Sequence, residues 1–140
     1  NETSLNWALL STTLDSYYTS NTFWIGSAVM NPYTNFLNLL QGLLQLEKFP
    51  AMTALSKLIL DQIALHEDIG KPLTVREMIG FDQIASPATL HKHLASLRAS
   101  GYVTARSEGR DNRTKYLVLT SLGHAYINTL SKAIVQAGAT

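Results

Sequence analysis

Residues 73–123 read LTVREMIG (73–80), FDQIA (81–85), SPATLHKHLASLRASG (86–101) and YVTARSEGRDNRTKYLVLTSLG (102–123). Thr74, with Glu77 three residues on, forms a capping-box pattern that opens a short helix. FDQIA is the turn after it. Ser86-Pro87 then starts a second helix, serine as N-cap and proline at the first helical position, where a missing N–H is no loss. Leu90, Leu94 and Leu97 recur at helical spacing as a buried stripe, and Gly101 stops the helix. The segments 102–107 and 115–119, rich in β-branched and aromatic residues, predict two strands joined by the polar loop 108–114. Helix, turn, helix and basic ribbon in this order set one short helix beside one basic loop. Such a pair fits a DNA major groove and the neighbouring minor groove together.

The flanks read as helical. Thr3 or Ser4 can cap a helix carrying Leu5, Leu9, Leu10, Leu14, Tyr17 and Tyr18, with a break at Ser20-Asn21-Thr22. The stretch 23–30 fits a short helix or a buried extended piece. Asn31-Pro32 starts another helix, with Phe36, Leu37, Leu39, Leu40, Leu43, Leu44 and Leu46 spread over more than one face. Such a helix calls for deep burial or a partner chain. Phe49-Pro50 breaks it. The next helix is expected over about 51–69, with Leu55, Leu58, Ile59 and Ile63 on one stripe and Gly70 as the stop. Beyond the ribbon, Thr120 or Ser121 restarts a helix through Tyr126, Ile127, Leu130, Ile134 and Val135. The tail 137–140 should fray.

The chain has 140 residues, 46% of them apolar, which suits one globular domain. It has no cysteine, so disulfides, thiolate metal sites and cysteine redox sensing are excluded. No run reaches the roughly 18 apolar residues of a membrane span, and no basic start leads into an apolar signal core. A cytoplasmic chain without a membrane partner is expected. Net charge is only +1, yet it is unevenly spread. Residues 1–50 carry a net −2, whereas 86–120 carry Lys92, Arg98, Arg106, Arg110, Arg113 and Lys115 against Glu108 and Asp111. That asymmetry is a local electrostatic footprint.

With these residues in place, segment 73–123 resembles the winged helix-turn-helix of MarR-type transcriptional regulators. The matching positions are Leu73-Thr74, Glu77, Ser86, Thr89, Leu97, Gly101, Val103, Arg106, Asp111, Arg113, Leu119-Thr120 and Gly123. An Asp-x-Arg wing followed at this distance by Leu-Thr-x-x-Gly is the most specific part. Ala105 and Asn112 stand where the family commonly carries arginine. About twenty residues follow the wing where the family usually has two helices, so the first fifty residues are left to carry more of a dimer. The resemblance implies a mostly α fold with a small β-hairpin wing, a winged helix-turn-helix domain flanked by N- and C-terminal dimerisation helices. The expected division is 1–50 as an N-terminal helical dimerisation region, 51–120 as the DNA-binding domain and 121–140 as a C-terminal helix.

The candidate DNA-binding residues are Ser86, Thr89, His91, Lys92, His93, Arg110, Asp111, Arg113 and Lys115. With the leucine stripe inward, the second helix of the motif turns Ala88, Lys92, Ala95, Ser96 and Ala99 outward, flanked by His91 and His93. Lys92 is a cation placed for a phosphate or a guanine edge. Small residues let the helix approach bases, and Ser86 and Thr89 can hydrogen-bond phosphates. In the wing, the resemblance makes Arg113 the minor-groove reader and Asp111 the residue that orients it. His91-x-His93 is no metal pair, because i and i+2 point apart on a helix, and no metal or cofactor is expected. There is no phosphate loop, HExxH or nucleophile elbow, so no enzyme activity is expected. Tyr17, Tyr18, Phe23, Trp24 and Tyr33 are candidates for a small-molecule effector pocket, although aromatic residues so spaced also suit a core.

The expectation is a homodimer that binds double-stranded DNA sequence-specifically and regulates transcription, as a repressor. The alternatives are a winged helix used for protein interaction or assembly, and a plasmid or phage replication or partition protein.

Overall fold

The computed structural model of the chain describes residues 31–110 and 112–138. The helix expected over 5–18 and the ambiguous stretch 23–30 lie outside them. The element order is α1 (Pro32–Glu47), α2 (Ala54–Asp68), α3 (Val75–Ile79), α4 (Pro87–Ala99), β1 (Val103–Ser107), β2 (Lys115–Leu119) and α5 (Ser121–Gly138). The mostly helical class with a β-hairpin wing is as the sequence leads one to expect.

Local chemistry sets the helix ends. Asn31 caps α1, its side-chain oxygen accepting from Tyr33 N at 2.8 Å. Lys48 closes α1 in a left-handed conformation (φ 52°), and Phe49-Pro50 follows. Thr74 and Glu77 form the full capping box on α3. Ser86 caps α4 through Thr89 N. At the end of α4, Gly101 takes φ 88°, a backbone that a side chain would strain. Tyr102 N then reaches Leu97 O at 3.1 Å and Gly101 N reaches Arg98 O at 3.1 Å, which is the Schellman pattern.

The hairpin is antiparallel, with Val103 opposite Leu119 and Ser107 opposite Lys115. Thr74 bridges Tyr116 on the other side of β2, and Leu117 N donates to Leu73 O at 2.7 Å. The entry to α3 therefore acts as a third edge on the wing and fixes its base. One core gathers Ile59, Leu60 and Ile63 from α2, Leu73 just before α3 and Met78 within it, and Leu90, Leu94 and Leu97 from α4. Tyr102, Val103, Leu117 and Leu119 close it from the hairpin, and Tyr126 from α5. Burying a side chain of this size contributes about 1.5–3 kcal/mol. Tyr102 is fully buried, and its hydroxyl donates to the Pro50 carbonyl. Its ring meets Tyr126 edge-on at 5.6 Å, and Phe49 meets Tyr126 in the same manner at 5.4 Å. The α1–α2 connection is thereby fastened to the wing base and to α5.

Two expectations need correction, the start of the second helix and its inward stripe. The second helix begins at Ala54, not near residue 51, because the Thr53 side chain caps it by accepting from Ser56 N. Its buried positions are Ser56, Ile59, Leu60 and Ile63. That 3–1–3 spacing places Leu58 on the far side, 51% exposed, and brings Leu60 into the core instead. On α5 the inward stripe is Gly123, Tyr126, Thr129 and Ala133, so Ile134 and Val135 are turned outward. Thr129 is tolerated inside because its hydroxyl donates to Ala125 O at 2.8 Å. Helix α1 lies on α5 yet buries only Leu40, leaving Tyr33, Leu37 and Leu46 exposed.

Candidate nucleic-acid interface

The inward leucines of α4 decide which side chains it can offer. Leu90, Leu94 and Leu97 are at most 3% exposed, so the opposite side presents Ala88, His91, Lys92, Ala95, Ser96, Arg98 and Ala99 to solvent. Lys92 is exposed in the middle of this face. Ser86 and Thr89 sit at the helix start, their hydroxyls 2.9 Å apart. Each is thus oriented by the other and by the cap, in the place where the partial positive charge of the helix N-terminus favours a phosphate.

The wing is polar and turned to solvent. Arg106, Arg110, Arg113 and Lys115 are all exposed. Lys115 Nζ donates to Ser107 Oγ at 2.6 Å, across the last hairpin pair. That bond holds an ammonium group on the strand edge with two protons left for an acceptor. Gly109 turns the loop with φ 72°. Asp111, the expected partner of Arg113, lies outside the described residues.

The expected site residues do not all fall together. Ser86, Thr89, His91 and Lys92 share α4 with outward access or cap geometry, and Arg110, Arg113 and Lys115 share the wing. His93 stands apart. It is half-buried, with Nδ1 at 3.2 Å from both Thr53 Oγ1 and Ser56 Oγ at the start of α2. No local pattern signals this contact, because its partners lie 40 and 37 residues away. The five aromatic residues read as a possible effector pocket cannot be assembled: Tyr17, Tyr18, Phe23 and Trp24 lie outside the described residues. Tyr33 is 66% exposed on the first turn of α1.

A different concavity of about 750 Å³ opens between α2 and α5. It is lined by Asp61, Ala64, Leu65, Glu67, Asp68, Leu119, His124, Ile127 and Asn128. Glu67 links three elements there. Its carboxylate accepts from Leu119 N at 2.7 Å and pairs with His124 Nε2 at 3.0 Å. Burial pushes the Asp61 carboxyl up from its ordinary range, partly offset by the Lys57 ammonium one turn away. Burial likewise pushes the Tyr102 and Tyr126 phenols up, with the neighbouring Tyr126 phenol adding to the first and the Asp61 carboxyl to the second. Among the described residues no group of three or more His, Cys, Asp or Glu could hold a metal ion. No described helix is long and apolar enough to cross a membrane.

No family model matches the chain, and no curated protein matches it. Solved structures do. The transcriptional regulator Tm0710 from Thermotoga maritima is similar over 72% of this chain and 66% of its own, at 20% identity and a TM-score of 0.52. RV1404 from Mycobacterium tuberculosis is similar over 93% of this chain and 76% of its own, at 11% identity and a TM-score of 0.54. A mutant of MepR from S. aureus is similar over 76% of this chain and 73% of its own, at 18% identity and a TM-score of 0.51. This chain spans just under two thirds of the length of the Thermotoga regulator. At these identities the likeness is one of fold, and the chain has the winged helix-turn-helix fold of MarR-type transcriptional regulators.

Proposed function

We propose that this chain binds duplex DNA sequence-specifically as a homodimer and regulates transcription, acting in the cytoplasm as a repressor. The observation that carries the reading is the juxtaposition of the outward face of α4, with Lys92 at its centre, and a wing whose Arg110, Arg113 and Lys115 are all exposed. In the proposed complex α4 enters the major groove. Lys92 and His91 meet phosphates or base edges, and Ser86 and Thr89 fix the helix start on the backbone. The wing follows the adjacent minor groove, with Arg113 inside it and Asp111 orienting that arginine.

The homodimer rests on apolar surface that is exposed among the described residues. Leu46 of α1 and Ile134 and Val135 of α5 are 78%, 59% and 67% exposed. Two-fold symmetry of such a dimer implies a pseudo-palindromic operator. Repression is then steric, the dimer covering a promoter. A small-molecule effector would act by changing the separation of the two α4 helices. Winged helices also serve as protein-interaction modules, and the low net charge together with the open apolar surface favours that second reading.

Salt dependence separates the two. A DNA binder loses affinity steeply as salt rises, because each neutralised phosphate releases counterion. Affinity for a duplex recovered from a randomised pool, measured at 50 and 200 mM salt, should fall by at least tenfold. A chain that enriches no duplex from the pool is not a DNA-binding regulator.

A further inference from the structure

His93 occupies the second turn of α4, three residues after Leu90 and four before Leu97, at the edge of the buried stripe. This turns its ring toward the N-terminus of α2. Two hydroxyl groups meet it there. Ser56 N donates to Thr53 Oγ1 at 3.1 Å, and the Thr53 hydroxyl donates to Ser56 Oγ at 3.1 Å. Nδ1 of His93 is 3.2 Å from each of the two oxygens.

Proton bookkeeping fixes the ring. Ser56 is 3% exposed, so its hydroxyl proton must find an acceptor inside the fold. The Thr53 proton already points to Ser56 Oγ. The acceptor in reach of the Ser56 proton is therefore Nδ1 of His93. A ring nitrogen that accepts carries no proton, so in the neutral imidazole the proton sits on Nε2. Among the described residues no buried side-chain nitrogen or oxygen lacks a hydrogen-bond partner. Nε2 has no partner within the described fold, and it therefore reaches the surface with its N–H available.

We infer that His93 is a positioning residue for α4 whose Nδ1 is held by the Thr53–Ser56 hydroxyl pair, so that Nε2–H is presented as a fixed donor to a backbone phosphate. The donor part rests on the proposed DNA binding; the tautomer part does not. His93 and His91 then differ in kind. His91 is a solvated ring on the outer edge of α4, whereas His93 ties the helix to α2 and sets its approach to the duplex.

The test has two arms. Long-range ¹H–¹⁵N spectra of the free full chain at pH 8, above the ordinary imidazole range, should show His93 as the Nε2–H tautomer. The double variant Thr53→Ala/Ser56→Ala, which removes both hydroxyls in reach of Nδ1, should turn that signal toward a mixture. An Nδ1–H signal in the wild type, or an unchanged signal in the double variant, overturns the positioning role whatever the DNA result. For the second arm, His93→Asn retains an acceptor near the Nδ1 position and lacks the Nε2 donor. Its melting temperature should match the wild type, and its affinity for a pool-selected duplex should fall by about tenfold, the loss of one hydrogen bond to a charged acceptor. His93→Asn with wild-type affinity overturns the donor role while leaving the DNA reading intact. A wild-type chain that selects no duplex overturns the DNA reading and the donor role together, with the tautomer still readable.

Discussion

Arg113, Lys115 and Asp111 lie within five residues of one another, and each should fail differently when truncated. Arg113→Ala is expected to weaken duplex binding by about 1–3 kcal/mol, as for loss of a contact that reads bases or groove shape. Lys115→Ala should weaken binding evenly across sequences and lower the salt slope by about one unit, as for a phosphate contact. Asp111→Ala should also weaken binding, although removing a negative charge near DNA ordinarily strengthens it. That sign follows only if Asp111 orders Arg113. Affinities of the three variants at two salt concentrations decide it, and tighter binding by Asp111→Ala removes the orienting role. The hairpin that carries Arg113 and Lys115 was legible in the sequence because glycine, charge and strand pattern lie close together along the chain. The environment of His93 was not, since Thr53 and Ser56 come to it through the packing of α2 on α4. The bridge from Glu67 to Leu119 N and His124 was hidden for the same reason.

Elements were most legible where a cap or a stop is spelled out locally. Asn31-Pro32, Thr74 with Glu77, Ser86-Pro87 and Gly101 each placed a helix end where it is found. Faces were less legible, because an apolar residue is not bound to point inward. Leu58 matches the α2 stripe by type and misses it by angle. Gly123 offers a sharp test at this scale. It lies on the first turn of α5 against the wing base, and a Cβ there would meet the Tyr102 carbonyl oxygen at 2.3 Å and Leu119 Cβ at 3.2 Å. A backbone oxygen fixed by Thr120 N at 3.0 Å cannot yield as a flexible side chain would. Gly123→Ala gains about 1 kcal/mol of helix propensity, yet it should lose about 3 kcal/mol in displaced packing. Urea unfolding should therefore show a net loss of about 2 kcal/mol. Equal or greater stability would mean that α5 can slide on the hairpin.

For the whole molecule, exposed apolar surface and the half-buried Asp61 carboxyl give two further expectations. Among the described residues Leu46, Ile134 and Val135 are more than half exposed. Sedimentation at micromolar concentration should therefore show a dimer, and Ile134→Glu should convert it to a folded monomer. A wild-type chain that stays monomeric at all concentrations removes the paired-half-site arrangement. Asp61 bears on stability against pH. Its carboxyl is held above the ordinary value of 3.8 by burial, so the folded chain binds that proton more tightly than the unfolded one. Its contribution accordingly falls as pH rises from about 4 through the raised folded value, and is least favourable at neutral pH. Asp61→Asn should be slightly more stable at pH 7, by a fraction of about 1 kcal/mol once solvent screening is allowed for. It should show no gain near pH 3. A loss of stability in Asp61→Asn at pH 7 would show that the charged form is the favoured one.

In the proposed complex α4 and the wing of two copies read duplex DNA as a symmetric pair. Selection of bound duplexes from a randomised pool by the full chain is the decisive measurement. The predicted result is a pseudo-palindromic motif whose half-sites lie about one helical turn apart, roughly 10 base pairs centre to centre. It should be lost or relaxed in Arg113→Ala and Lys92→Ala. Recovery of unenriched sequence, or of a motif indifferent to both substitutions, would contradict it.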